Sequence, residues 1–383
     1  MPLLPSLVWV FGTKTKYLGE YVANSDLQLE VALKEYKDPY MGSDLITAGV
    51  IKELSGDDGR VNVVVQLGFP AAGYIPKLSE EICRRLSAID GVHDVDVKVT
   101  TNIVAHAVQK GIKPMPDIKN IIAVASGKGG VGKSTTAINL ALALAAEGAK
   151  TGILDADIYG PSQPRMLGMD QKPETIDGKS MEPVTNYGLQ SMSIGYLIDE
   201  ETPMIWRGPM VTTALEQLLN DTNWKDLDYL VIDLPPGTGD TQLTLAQKIP
   251  VSGAVIVTTP QDIALLDARK ALKMFEKVEV PVLGVIENMS THVCSRCGHE
   301  EHIFGEGGGR QMSEQYGVDL LGSLPLDIRI REDADGGKPS VVTEPEGHIA
   351  NIYREIARQV SARLAVQAKD YSAKFPNIVI QNT

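Results

Sequence analysis

An α/β fold is predicted, with a mostly parallel sheet flanked by helices and a small α+β domain in front of it. Three observations predict it. From Asn120 onward, short runs rich in Val and Ile alternate with helical patterns. Residues 26–104 carry a different order of short elements, α-β-β-α-β. Between them, residues 105–119 hold Gly111, Pro114 and Pro116 with little apolar periodicity, the composition of a linker. The chain has 383 residues, enough for two or three domains at about 150 residues each.

In the small domain, Asp26–Glu35 reads as a helix that Asp38-Pro39 ends, because the residue before proline avoids the helical region. Leu45–Leu54 reads as a strand. Val61, Val63, Val65 and Leu67 alternate with their neighbours as on a strand with one apolar face. Gly56-Asp-Asp-Gly59 between these two runs has turn chemistry and suggests a hairpin. Leu78, Ile82 and Leu86 give Ile75–Leu86 helical spacing, and Val92–Val99 alternates again.

In the large domain the strand candidates are Ile121–Ala125, Thr151–Leu154, Leu189–Met192, Tyr229–Ile232, Ala254–Val257, Val282–Ile286 and Leu320–Leu324. Ser134–Glu147, Val211–Leu219, Thr241–Gln247 and Ile263–Val278 are helical patterns between them. Continuous β-branched strands interleaved with helices indicate a parallel sheet covered on both faces. A last helix over 348–368 places Ile349, Ile352, Tyr353, Ile356, Val360 and Leu364 on one stripe. The large domain is assigned to 120–370 and a tail to 371–383. Residues 1–25 stay unassigned; the apolar start, Met1–Phe11, is interrupted by Pro2 and Pro5 and makes a poor secretory signal.

Lys plus Arg number 36 against 49 Asp plus Glu, a net charge of −13. That opposes wrapping nucleic acid or lying on an anionic membrane. No apolar run reaches the roughly 18 residues of a membrane span. Three cysteines cannot make a disulfide framework, so a reducing compartment, the cytoplasm, is expected. Cys83 stands alone on a helical pattern beside Ile82 and reads as packing.

The strongest chemical signal is Gly127-Lys128-Gly129-Gly130-Val131-Gly132-Lys133-Ser134-Thr135. It contains G-x-x-x-x-G-K-S between a strand and a helix, the context of a P-loop. The glycines let the backbone aim N–H groups at phosphate oxygens, and the helix N-terminus adds positive potential. Lys133 is expected on the β- and γ-phosphates of ATP and Ser134 on Mg²⁺. Tyr229–Asp233 is an apolar strand ending in a carboxylate suited to the metal shell. The Gly237 N–H in the following Pro-Pro-Gly-Thr-Gly is a candidate for the γ-phosphate. Asp155 and Asp157 lie beyond the end of a second strand, on the ligand side of a parallel sheet. Asp155 is expected to support the metal and Asp157 to orient the attacking water.

These motifs carry a family resemblance. With a second lysine, Lys128, early in the loop, the sequence resembles the deviant P-loop of the MinD/ParA/nitrogenase iron-protein group. Within it the chain looks like the Mrp/ApbC family of iron–sulfur cluster carriers. The resemblance spans about residues 26–369 and rests on 155–162, 233–240, 260–267, 287–289, 294–297, 303–306 and 325–327. It implies a homodimer with ATP sandwiched between subunits and Lys128 reaching the partner's phosphates. It puts Asn288, Pro325 and Asp327 near the base. The 26–104 unit resembles the small domain that precedes many such ATPases and occurs alone in iron–sulfur assembly factors. A further C-terminal domain of plastid relatives is not expected. Trp206-Arg-Gly-Pro209 either lines the dimer face or forms a surface turn.

Cys294 and Cys297 form a C-x-x-C in a loop after a strand. Thiolates suit iron or zinc, and two leave a tetrahedral site half built. Two copies across a dimer axis give four, which fits the family's bridging [4Fe–4S] cluster. A zinc site completed by His292, His299 or His302, or a redox pair, are the alternatives. The expected function is therefore an ATP-hydrolysing carrier that passes clusters to apoproteins and works with iron–sulfur assembly factors, without nucleic acid or membrane partners. A positioning ATPase of the MinD/ParA type and a zinc-stabilised nucleotide-binding scaffold are the competing readings.

Overall fold

The computed structural model describes residues 24–198, 208–294 and 296–367. The unassigned extension, the tail, and Trp206 and Arg207 of the possible dimer-face turn lie outside these residues. The small module runs α1 (Asn24–Lys34), β1 (Ile51–Asp57), β2 (Arg60–Leu67), α2 (Ile75–Leu86) and β3 (Asp94–Thr101). The β1–β2 hairpin turns where Asp58 and Gly59 both take positive φ, and β3 joins β2 in parallel. Val61, Val63, Val65 and Leu67 form the buried face, against Leu78, Ile82 and Leu86 of α2. Cys83 is half-buried, its sulfur 3.9 Å from the Val95 carbonyl.

One strand is shorter than the sequence predicts. Residues 45–50 turn instead of extending, because Asp44 captures the Thr47 N–H at 2.8 Å and Gly49 adopts φ +67°. This Asx-type turn competes with the ladder.

The large module runs β4 (Ile118–Ala125), α3 (Lys133–Ala146), β5 (Thr151–Asp155), α4 (Gln163–Met166), β6 (Val184–Asn186), β7 (Leu189–Ser193), α5 (Gly208–Asn220), β8 (Leu227–Asp233), α6 (Asp240–Lys248), β9 (Gly253–Thr258), α7 (Asp262–Lys277) and β10 (Val282–Glu287). It continues through β11 (His292–Val293), β12 (Glu300–Glu301), α8 (Gly308–Tyr316), β13 (Leu320–Ser323), α9 (Ile328–Asp335), α10 (Ser340–Thr343) and α11 (His348–Ala365). The main sheet has the order β13-β10-β9-β4-β8-β5-β7-β6. All its pairs are parallel except the β6–β7 edge. Every residue of β5, β8 and β9 is buried, as a sheet covered on both faces requires. The P-loop and Asp157 follow β4 and β5, and Asp233 is the last residue of β8, so all three lie at the C-terminal end of these parallel strands. The edge strand β6, helices α8 to α10 and the two-residue strands β11 and β12 are additions to the predicted elements.

Residues 105–119 are not slack. Gln109 is buried; its amide nitrogen donates to the Ala246 carbonyl at 2.8 Å and its oxygen accepts from Val251 N–H at 3.1 Å. The two modules also share a buried charge cluster. Glu147, just after α3, accepts the Gly73 N–H at 2.8 Å, Arg354 Nε at 2.7 Å and Arg358 Nη1 at 2.5 Å. Arg358 Nε further donates to Tyr40 Oη at 2.8 Å. Ala362 of α11 closes the small module's core.

Removing one member of a buried charge cluster strands the others. Glu147→Ala is expected to cost about 3–5 kcal/mol in urea denaturation; a loss below about 1 kcal/mol is what an exposed pair would give.

Candidate functional site

The P-loop is shaped by glycines at two places that need them. Gly132 takes φ +80° at the entry to α3, and a Cβ there would lie 2.2 Å from Asn288 Nδ2. Gly127 packs so closely on α7 that a Cβ would lie 2.1 Å from the Asp267 carbonyl carbon. The Asn288 side chain in turn donates to the Val131 carbonyl at 2.9 Å. A residue 157 positions away in the chain thereby supports the loop.

Lys133 is buried and contacts Asp233 Oδ1; its Nζ lies 3.2 Å from Ser134 Oγ and 4.0 Å from Asp157 Oδ2. Asp233 is fully buried at the end of β8. Asp155 is saturated by donors: Asp157 N–H at 3.1 Å, Ser162 N–H at 2.9 Å, Gln163 N–H at 3.1 Å and Ser193 Oγ at 3.1 Å. It therefore organises the loop behind the site, while Asp157, half-buried, stands nearer the opening. Burial raises the Asp157 carboxyl, against the pull of Lys133. Gly237 lies against the P-loop with its N–H donated to the Ser126 carbonyl at 2.9 Å. Lys128 is half-buried and has no ion-pair partner among the described residues.

Gly130, Gly132, Thr135, Asn288, Pro325 and Asp327 line one cavity of about 420 Å³ beside the loop, the size of a small-ligand site. Residues from three distant motifs thus converge where a base is expected. Asp327 caps α9 and pairs with Arg329 at 2.6 Å, which holds its carboxyl below the usual range.

Cys294 and Cys297 sit on the turn between β11 and β12. Cys294 N–H donates to the His299 carbonyl at 2.9 Å, and Gly298, with φ +72°, donates back to the Cys294 carbonyl at 2.8 Å. N–H groups of Arg296 and Cys297, and then the Cys297 thiol, pull the Cys294 thiol below its ordinary value, which favours thiolate. Two of the candidate histidines bond backbone carbonyls. His292 Nδ1 is 3.0 Å from the Leu326 carbonyl and His302 Nδ1 3.0 Å from the Ser290 carbonyl. Among the described residues no group of three or more His, Cys, Asp or Glu side chains is placed to hold a metal ion.

The hairpin is fastened to the wall of the cavity beside the P-loop. Ser290 N–H donates to the Leu324 carbonyl at 2.9 Å and Leu326 N–H to the Thr291 carbonyl at 2.7 Å. Pro325 and Asp327 line both the cavity beside the P-loop and a second cavity of about 580 Å³ that reaches Val293 and Glu300.

Residues 117–361 match the model of the NUBPL iron-transfer P-loop NTPases, and residues 27–99 that of an iron–sulfur cluster assembly protein. The chain belongs to the NUBPL-type iron-transfer P-loop NTPase family. It is 53% identical over 341 residues to the iron–sulfur cluster carrier protein of Salmonella typhimurium, covering 88% of this chain and 92% of the relative. It is 52% identical over 254 residues to the mouse iron–sulfur cluster transfer protein NUBPL, covering 66% and 80%. Among solved structures, the nucleotide-binding protein in complex with ADP from Archaeoglobus fulgidus matches with a TM-score of 0.53 at 37% identity, over 62% of this chain and 93% of that one. Family membership agrees with the resemblance read from the motifs, and the parallel sheet with the predicted fold.

Gln163 was absent from the predicted site. It is fully buried and touches both Ser134 and Asp233. Its position just after Tyr159-Gly-Pro-Ser162 is the only hint in the sequence, since an isolated glutamine carries no motif.

Burial, and then the neighbouring Asp233, push the Asp155 carboxyl up to about 7 from an ordinary 3.8, against the Gln163 and Asp157 N–H groups and Lys133. The folded protein then holds a proton, between these two values, that the unfolded chain has released. The stability from this group is complete below pH about 4 and is lost as pH rises toward about 7. Thermal unfolding of nucleotide-free protein is expected to show this fall, and Asp155→Asn to flatten it; an unchanged slope in the variant contradicts the assignment.

Proposed function

We propose that this protein is an ATP-dependent iron–sulfur cluster carrier that works as a homodimer. The carrying observation is the incomplete thiol pair: two sulfurs on one turn, no third His, Cys, Asp or Glu side chain grouped with them to hold a metal among the described residues, and a hairpin fastened to the wall of the cavity beside the P-loop. Two sulfurs leave a tetrahedral iron or zinc site open. A symmetric second copy brings two more, and four thiolates hold a [4Fe–4S] cargo. The names of the Salmonella and mouse relatives agree with this cargo.

In this reading the P-loop N–H groups and Lys133 bind the β- and γ-phosphates of ATP, and Asn288, Pro325 and Asp327 border the base. The Ser134 hydroxyl and the Asp233 carboxylate are hard oxygen donors of the kind Mg²⁺ takes, with Asp155 behind them. Beside them the Gln163 Oε1 is buried without a hydrogen-bond partner among the described residues. When bound, Mg²⁺ neutralises charge on the phosphates. Asp157 orients the water that attacks the γ-phosphorus, and ADP and phosphate leave. Lys128, with no ion-pair partner among the described residues, serves the partner's phosphates. Gly237, bonded to Ser126, exchanges that bond for the γ-phosphate and releases it after hydrolysis.

The shared wall at Pro325–Asp327 supplies a route from nucleotide to hairpin. Occupation of the base cavity alters the strap that holds residues 290–292, and with it the thiol geometry, so clusters load or leave for apoprotein acceptors. The small module is the contact for assembly factors. The free cysteines suit the reducing cytoplasm, and among the described residues no helix is long and apolar enough to cross a membrane. A positioning ATPase would need a membrane-binding helix or a basic face for DNA, and the last helix does not favour this reading, since its Arg354, Arg358 and Arg363 are engaged in ion pairs with Glu147, Glu355 and Asp319.

Anaerobic reconstitution with iron and sulfide tests the reading. About four irons per dimer are expected, with Cys294→Ala and Cys297→Ala abolishing uptake while nucleotide binding stays. Lys128→Ala is expected to slow hydrolysis by roughly 10³-fold, the scale of a missing arginine finger. Stoichiometric zinc without iron uptake, or recruitment to liposomes or DNA by ATP, contradicts it.

A further inference from the structure

Gln163 opens α4, and its side chain is wholly buried. Its amide nitrogen donates to Asp233 Oδ2 at 3.0 Å and to the Ser134 carbonyl at 3.2 Å. Its amide oxygen is buried with no hydrogen-bond partner among the described residues. The amide cannot be turned over at this place. Its oxygen would then face a carboxylate and a carbonyl, both acceptors. The two bonds therefore fix the orientation of the glutamine, at the expense of its own oxygen.

Asp233 divides its two oxygens between two donors, Lys133 on Oδ1 and Gln163 on Oδ2. Two further acids, Asp155 and Asp157, bear on the same carboxylate electrostatically. Lys133 is the cation in ion-pair contact with it. A P-loop lysine that turns to phosphate withdraws from this carboxylate. A buried carboxylate left by that cation then needs another donor to stay satisfied and aimed. Gln163 is that donor, and its bond does not depend on where Lys133 points.

We propose that Gln163 is a positioning residue for Asp233, holding the carboxylate fixed when Lys133 is drawn to the nucleotide, so that the oxygen released by the lysine is presented to the hydrated Mg²⁺. The inference rests on the ATPase reading above and goes beyond it by adding a residue to the metal shell. Gln163 touches neither nucleotide nor metal in this scheme; it acts through Asp233.

The test uses the full chain and Gln163→Met, which fills similar space without an N–H donor and keeps the backbone N–H that Asp155 accepts. Gln163→Leu serves as a second variant. Binding of a fluorescent ATP analogue is titrated with Mg²⁺, alongside the thermal midpoint and binding in EDTA. The expected result is a roughly tenfold or greater rise in half-saturating Mg²⁺, the scale of a lost outer-shell partner, with metal-free binding changed less than twofold and the thermal midpoint retained. In an Asp233→Asn background the same substitution is expected to add nothing, because the coupling runs through that carboxylate. An unchanged Mg²⁺ requirement, a parallel loss of metal-free binding, or full additivity with Asp233→Asn overturns the inference. Wild-type protein that binds no nucleotide with or without Mg²⁺ overturns the ATPase reading itself, a result distinct from these.

Discussion

The buried contact between the Lys133 ammonium and the Asp233 carboxylate is the constraint around which the rest of the site is arranged. It joins the helix after β4 to the end of β8. Taking both charges out of water costs several kcal/mol per ion before their attraction is counted. Such a pair is a poor device for stability, and well-packed apolar residues would serve a fold as well. Its surroundings make sense only as parts of a phosphate site. Asp155 is tied down by four donors, Asp157 stands half-open above, Gln163 bridges Ser134 to Asp233, and Asn288 presses on the loop that Gly132 leaves room for. The parallel sheet delivers all of these to one edge, because strands that run together end together.

The cysteine hairpin extends the same edge. It has few ordered partners of its own beyond the β11–β12 bonds, and residues 290–292 are stitched to 324–326. That strap also forms the rim of the base cavity. Six positions separate Asn288, which touches the P-loop, from Cys294. In the proposed function this short connection is the route by which a change at the nucleotide reaches the thiols. The Glu147 cluster gives the other end of α3 a comparable link to the small module, so one helix carries the P-loop Lys133 at its N-terminus and meets the neighbouring module at its C-terminus.

Much of this was legible in the sequence. The P-loop was legible because positive-φ glycines and a following Lys-Ser pair have few other uses. The parallel sheet was legible in the Val- and Ile-rich runs of β4, β8 and β9. The hairpin at Asp58-Gly59 and the buried face of α2 followed from turn chemistry and spacing. What escaped depended on contacts remote in sequence. Residues 45–50 carry strand-like composition, but the Asp44 side chain turns them. Gln109 looks like linker and is pinned by Ala246 and Val251. The strands β11 and β12 are two residues each, too short for periodicity. Gln163 is one polar residue whose meaning comes wholly from Asp233, 70 positions away.

The mass of the intact assembly under native, oxygen-free conditions, after loading with iron, sulfide and Mg-ATP, tests the central claim most directly. The account predicts two chains carrying one cluster of about four irons and four sulfides, falling to bare chains when Cys294 is replaced. A single chain that retains its metal, or a dimer whose metal is indifferent to Cys294, contradicts it.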